Sequence, residues 1–367
     1  MGTRRTTASS HGLVLLATAG ALLGGCGPTT SDGGDATGGG STATSAAGAP
    51  TTVATGLDAP WSVVLLDGTP LVSERDSARI LELADDGTPR EVGVVDGVEA
   101  AGEGGLLGLA LDDDGRLYVC STAAGGNRIQ RYDLAGEPGA LSLGEPTTIL
   151  DGLPAASVHD GGRLAVGPDG MLYATVGDAG VPDRAQDLRS LGGKILRMTP
   201  DGEVPVDNPF DGSLVYSYGH RNVQGLAWAD DGTLFATEFG QDTWDELNVI
   251  TPGANYGWPE VEGAGDAGAD DEFVDPVQQW PPSEASPSGM AHLDGRLFIA
   301  NLRGQVLRAV PVDDPSTSTD HYAGEHGRLR DAVPGPDGRL WLVTSNTDGR
   351  GSPGPEDDQI LSVDVRR

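Results

Sequence analysis

A short Gly-centred turn followed by an apolar strand recurs six times along this chain, and no other feature narrows its fold so far. The copies are DGTPLVSER at Gly68, DGRLYVCST at Gly115, DGMLYATVGD at Gly170, DGTLFATEFG at Gly232, DGRLFIANLRG at Gly295 and DGRLWLVTSN at Gly338. The Asp-Gly pair supplies the positive-φ positions of a tight hairpin, and the residues after it alternate as in a half-buried strand. A second strand-like run follows most copies: ARILEL, NRIQRY, GKILRM, DELNVI, GQVLRA and DQILSV. The interval between copies suits one four-stranded blade with loop insertions, and no long amphipathic helical pattern interrupts the series. The expected fold is all-β, a six-bladed β-propeller over residues 51–367, in which radial repetition protects the sheet edges.

The segments before it read differently. Residues 1–26 have the form of a lipoprotein signal peptide: Arg4 and Arg5, the apolar run GLVLLATAGALLGG, and a lipobox Leu23-Gly24-Gly25-Cys26 whose cysteine becomes the lipidated N-terminus. The apolar run is too short and Gly-rich for a membrane span. Thr6 follows the arginine pair where a twin-arginine signal carries bulky apolar residues, so ordinary export is expected. Residues 27–50 form a flexible Gly/Ser/Thr/Ala tether with no means of building a core. The expected location is extracytoplasmic, lipid-anchored to the cell membrane through Cys26. The remaining cysteine, Cys120, is then without a disulfide partner and reads as a buried structural thiol.

Charge excludes one partner class. The chain carries −32, and removing a leader whose only charges are Arg4 and Arg5 takes it to −34. Nucleic acid would be repelled. Lys194 is the only lysine, so any anionic cofactor must find a local cluster of arginines within a repelling shell.

Reactive residue types concentrate between His159 and Pro259. A neutral imidazole at His159 suits accepting a hydroxyl proton, and Asp178 ends a strand where it could orient that ring. YGHRN places Arg221 beside Asn222, and a guanidinium suits a carbonyl or a carboxylate. EFGQDTWDELN reads as an oxygen-rich loop able to take a hard cation. Loops at one end of a propeller channel converge from every blade. This explains why Ser73-Glu74-Arg75, Asp178, Glu238, Asn301, Arg303 and Ser345 all fall just after repeated strands.

In order and spacing these motifs resemble the soluble PQQ-dependent sugar dehydrogenases, the glucose/sorbosone and aldose sugar dehydrogenase family, over roughly residues 51–365. The resemblance implies PQQ and Ca²⁺ as cofactors, an aldose as substrate and a separate electron acceptor (a quinone, cytochrome or dye). It implies that His159 is the catalytic base with Asp178 behind it, and that Arg221 faces the quinone carbonyl while Asn222 bonds the cofactor. Arg303, Arg328 and Arg330 would hold the cofactor carboxylates, and Trp280 would pack on its plane. Carbonyls of Gly240 and Gln241 would bind one calcium, and Glu246 with the Tyr256 carbonyl a second, structural one. Glu103 and Gln186 fall at substrate positions, and Trp258 reads as structural.

Departures fall mostly on substrate contacts. Trp61 stands where glucose-oxidising members have His, Glu103 where they have Gln, and Val158 where they have a sugar-binding Asp. Val277 replaces an expected aromatic neighbour of Trp280. Two other functions fit the same fold: a metal-dependent lactonase, which needs a central cation held by side-chain ligands, and a binding propeller without cofactor. The arginine set and His159 favour the dehydrogenase over both.

Overall fold

The computed structural model describes residues 48–265 and 272–365. The expected signal peptide, its lipidation site Cys26 and the tether as far as residue 47 lie outside the described residues. Among the described residues strands dominate, with a single 3-10 turn at Pro182–Ala185, and no helix is long and apolar enough to cross a membrane.

Six antiparallel four-stranded sheets succeed one another along the chain. Blade 1 is Pro60–Leu66, Thr69–Glu74, Arg79–Leu83 and Pro89–Val94, in that spatial order. Blades 2 to 5 repeat the same meander. Blade 6 takes three strands from the C-terminal region, Leu329–Pro334, Leu340–Thr344 and Ile360–Val363. Its outermost strand, Thr51–Ala54, comes from the opposite end of the propeller and pairs antiparallel with Ile360–Val363. Main-chain hydrogen bonds between the first and last strands thus close the ring and remove a free edge. Pro60–Leu66 packs against both Leu106–Leu111 and Leu329–Pro334, so the first strand of each blade faces a central channel. The fold is a six-bladed β-propeller.

All six turn glycines have φ between 71° and 88°, as the repeat requires. The Asp before them serves in two ways. In blades 1 and 5 the hairpin is the expected two-residue turn: Leu66 pairs with Thr69, Leu293 pairs with Arg296, and Asp67 and Asp294 adopt φ of 49° and 50°. The other four turns are wider. There Asp169, Asp231 and Asp337 each accept the backbone N–H two residues on, at 3.1, 2.9 and 3.1 Å, the side-chain turn that Asp favours.

Apolar clusters lie between neighbouring blades rather than within one central core. Leu71 and Ile80 of blade 1 meet Leu117 and Val119 of blade 2. Tyr173 and Ile195 of blade 3 meet Leu234 and Ile250 of blade 4. Phe298 and Leu307 of blade 5 meet Leu340 and Leu361 of blade 6. Cys120 is buried and free, and desolvation pushes its thiol up to about 12, which leaves it unreactive.

Candidate functional site

Strand ends and crossings at the channel end opposite the Asp-Gly turns carry the reactive side chains. His159 lies on the crossing from blade 2 to blade 3 with φ of 59°, followed by Gly161 and Gly162 at 66° and 91°. The strand Leu172–Val176 closes onto this crossing through Gly177, where an added Cβ would lie 1.9 Å from the His159 carbonyl oxygen. That glycine permits the contact which follows.

His159 Nδ1 is 2.7 Å from Asp178 Oδ1. Asp178 is fully buried and also accepts the Gly180 N–H at 2.7 Å and the Trp258 Nε1–H at 2.9 Å. Burial pushes against its ionisation, but the His159 contact and the other two donors overcome this and hold the carboxyl below its usual value. An ionised Asp178 accepts a hydrogen bond from Nδ1–H and so keeps the ring proton there, which leaves the Nε2 lone pair of His159 for a substrate hydroxyl. The His159 side chain is 17% exposed and therefore within reach of a ligand. Trp258, read from sequence as structural, proves to be one of the three donors that set this dyad.

Arg221 and Asn222 precede the first strand of blade 4. The Arg221 guanidinium donates through Nη1 to the carbonyls of Phe239 and Gly240, at 3.2 and 2.6 Å, and lies over the Trp258 ring at 5.4 Å. Asn222 accepts the Gly161 N–H at 3.0 Å. Of the buried N–H groups that find no acceptor among the described residues, three lie here: Arg221 Nε, Asn222 Nδ2 and Arg330 Nε. Buried donors are normally paired, so the three point to an acceptor-rich ligand.

The cavity beside them is lined by Trp61, Arg75, Glu103, Asp160, Gln224 and Arg330, among others. Arg330 is buried, makes only long contacts to Gln224 Oε1 and Ser288 Oγ, both 3.3 Å, and has no carboxylate within ion-pair distance among the described residues. Desolvation pushes its pKa down to about 9. Arg328, two residues earlier, is instead paired with Asp348 at 2.9 Å. A buried guanidinium without a counter-ion is costly alone and well placed for an anionic ligand.

The loop after Leu234–Glu238 wraps a carboxylate that sequence inspection did not single out. Glu262 Oε1 accepts the N–H groups of Gln241, Asp242, Thr243 and Trp244, at 2.6 to 3.2 Å. With those N–H groups turned towards Glu262, the loop keeps its carbonyls for other partners, and Gly240 offers one beside Arg221. Carbonyls next to a guanidinium bring no negative charge of their own, so they fit a calcium ion only with an anionic ligand present. Glu246 fits a cation better. It faces Glu238 across the strand pair, and burial, then Glu238, push its carboxyl well above the usual carboxylate range. Two buried carboxylates side by side are relieved by a hard cation. Tyr256, whose carbonyl is the other expected ligand, stacks its ring on His220 at 4.7 Å, and His220 binds Glu238 at 2.8 Å.

Four expected contacts are placed as follows. Glu103 lines the cavity, accepts the His159 N–H at 2.8 Å and pairs with Arg350 at 3.2 Å, so it supports the base as well as walling the pocket. Gln186 is held at both ends of its amide by Asn255 and by the Trp258 carbonyl, at 2.7 to 3.0 Å, and its polar atoms are already matched. Arg303 is exposed at a hairpin tip and makes no ion pair among the described residues. Trp280 does not line the cavity. It sits on the outermost strand of blade 4, about 14 Å from the innermost one at ~4.8 Å per strand, with the Arg308 guanidinium over its ring at 4.7 Å. Trp61 and Phe239 supply the aromatic walls instead. Among the described residues no three His, Cys, Asp or Glu side chains form a metal-holding group, which is the arrangement the lactonase alternative requires.

The chain is similar to the PQQ-bound aldose sugar dehydrogenase of Streptomyces coelicolor, with 51% identity, a TM-score of 0.81 and coverage of 86% of this chain and 96% of that one. It is 32% identical to the aldose sugar dehydrogenase YliI of Escherichia coli, over 80% of this chain and 89% of that protein. It is 35% identical to quinoprotein glucose dehydrogenase B of Acinetobacter calcoaceticus, over 52% of this chain and 48% of that protein. The glucose/sorbosone dehydrogenase family matches residues 57–352, and the chain belongs to that family and is an oxidoreductase.

Proposed function

We propose that this protein is a PQQ- and calcium-dependent dehydrogenase that oxidises the anomeric hydroxyl of an aldose to the lactone. The observation that carries the reading is the His159–Asp178 dyad beside a cavity whose buried donors and unpaired Arg330 call for an anionic, acceptor-rich ligand. His159 Nε2 takes the hydroxyl proton as the C–H bond gives up its hydride, and Asp178 stabilises the imidazolium that forms. Bound PQQ would supply the two-electron acceptor for that hydride. Arg330, Arg328 and the exposed Arg303 would neutralise its carboxylates, and Asn222 and Arg221 would donate to its oxygens. Gly240 and Gln241 would hold the calcium next to it, with Glu246 and the Tyr256 carbonyl holding a structural one. Trp61 and Phe239, which line the cavity, would restrict water there.

Reoxidation would pass electrons to a separate acceptor, a quinone, cytochrome or dye. Export and lipid attachment at Cys26 would hold the catalyst outside the cell membrane. The test is to titrate metal-free protein with PQQ and Ca²⁺, follow binding by tryptophan quenching, and assay dye-linked oxidation of an aldose panel. PQQ binding without oxidation of any aldose would overturn the substrate assignment, and no PQQ binding would overturn the cofactor.

A further inference from the structure

Lys194, the only lysine of the chain, is fully buried in the third strand of blade 3. A buried ammonium normally has a carboxylate partner. Here no carboxylate lies within ion-pair distance among the described residues. Nζ donates instead to three main-chain carbonyls, Arg184 at 2.7 Å, Ala185 at 2.9 Å and Gly192 at 2.8 Å. All three belong to the segment 182–193, in which Ala185 is buried and Leu191 packs on the neighbouring apolar cluster while Leu188 is 40% exposed. The ammonium gathers this loop from within.

The loop in turn touches the dyad by two routes. Arg184 Nη1 donates to the Asp178 carbonyl at 3.2 Å. Gln186 Nε2 donates to the Trp258 carbonyl at 2.7 Å and to Asn255 Oδ1 at 3.0 Å. Trp258 Nε1 then donates to Asp178 Oδ2 at 2.9 Å, and Asp178 Oδ1 holds His159 Nδ1 at 2.7 Å. Each link is a direct hydrogen bond.

We propose that Lys194 is a positioning residue, an internal cation that locks the 182–193 loop and through Gln186, Trp258 and Asp178 sets the ring orientation and tautomer of His159. This rests on His159 being the base. It also gives Gln186 a role, as a link in the relay rather than a contact to sugar.

The test uses the full chain loaded with PQQ and Ca²⁺, together with metal-free protein labelled with ¹⁵N-histidine. Lys194→Met keeps the bulk and removes the donors. A misplaced base costs on the order of 100-fold, so the variant should lose about that factor in kcat with KM for the aldose nearly unchanged. The His159 ¹⁵N tautomer signature, assigned with His159→Gln, should change as well. Lys194→Ala leaves a cage of three carbonyls, and added methylammonium should restore much of the lost kcat.

Gln186→Leu, at a half-buried position, cuts the relay further along without disturbing Lys194. A fall in kcat at constant KM supports the relay even if the Lys194 variants do not fold. A rise in KM alone would return Gln186 to the substrate site and overturn the relay. So would a Lys194→Met variant with wild-type kcat and an unchanged His159 signature. If the wild-type chain oxidises no aldose, the base reading fails first, and the ¹⁵N signature of the variants still decides whether Lys194 governs the ring.

Discussion

Replacing Asp178 by Asn tests the dyad at its most sensitive point. The carboxylate accepts three donors: His159 Nδ1–H and Gly180 N–H on Oδ1, and Trp258 Nε1–H on Oδ2. Asn offers one acceptor oxygen and one NH₂ group, so it cannot satisfy all three. If its oxygen keeps His159 and Gly180, the NH₂ confronts the Trp258 Nε1–H, and a buried donor goes unpaired. That costs about 1–3 kcal/mol of stability. If the amide turns round, the NH₂ faces His159 Nδ1, the ring proton moves to Nε2 and the base is lost. That costs on the order of 10²- to 10⁴-fold in kcat. Either orientation leaves Arg328 and Arg330 in place, so PQQ affinity should stay within about threefold, well below the effect of losing one charge-assisted bond. Dye-linked kcat, PQQ titration by tryptophan quenching and urea unfolding separate the three quantities. A variant with wild-type turnover and an unaltered His159 tautomer would refute the role given to Asp178.

Further variants and reagents should behave as follows. Arg330→Gln should weaken PQQ binding about ten- to a hundredfold without lowering the thermal stability of the cofactor-free protein, because burial already disfavours that charge. Arg328→Ala should destabilise the fold by about 3–5 kcal/mol, since it strands the buried Asp348; equal melting temperatures for the two variants would contradict this contrast. Asp160, buried in the cavity wall with its carboxyl pushed up to about 6 chiefly by desolvation, binds its proton more tightly folded than unfolded. Its stabilising contribution is therefore present below its ordinary value of 3.8 and is lost as pH rises through about 6. Asp160→Asn should gain up to about 3 kcal/mol over the wild type at pH 8 and little at pH 3.5, read from urea unfolding at each pH. Protein stripped with EDTA should regain dye reduction only when both Ca²⁺ and PQQ return, and full activity with PQQ alone would remove calcium from the mechanism. Cys26→Ser should move the protein from the membrane to the soluble fraction at unchanged specific activity, and a variant that still sediments with membranes would rule out lipid anchoring there.

The six Asp-Gly turns were enough to predict the propeller, because each blade is a local meander whose hairpins and alternating strands are written in contiguous residues. The spacing of His159 and Asp178 was legible for a related reason: both flank one strand pair of one blade. Closure of the ring was not legible, since pairing Thr51–Ala54 with Ile360–Val363 joins residues about three hundred positions apart. Nor was the separation of Arg328, paired with Asp348, from Arg330, which has no carboxylate partner among the described residues. In sequence they are two arginines with one residue between them, a spacing that a strand sets on one face; Arg328 in fact lies just before the strand Leu329–Pro334, where the loop after Leu340–Thr344 brings Asp348 to it. Trp258, Trp280 and Trp61 make the same point. The motif match pointed to Trp280 as the cofactor's aromatic wall, whereas packing placed it on an outer strand beneath Arg308, set Trp61 in the cavity and turned the Trp258 N–H onto Asp178. Lys194 and Glu262 carried no readable signal, because their partners are backbone groups that any residue provides. The chain by itself thus determines the repeating unit and the residue types of the site. Which charge is left unpaired, which ring faces the cavity and what holds the base are decided by contacts between blades, which exist only in the closed ring.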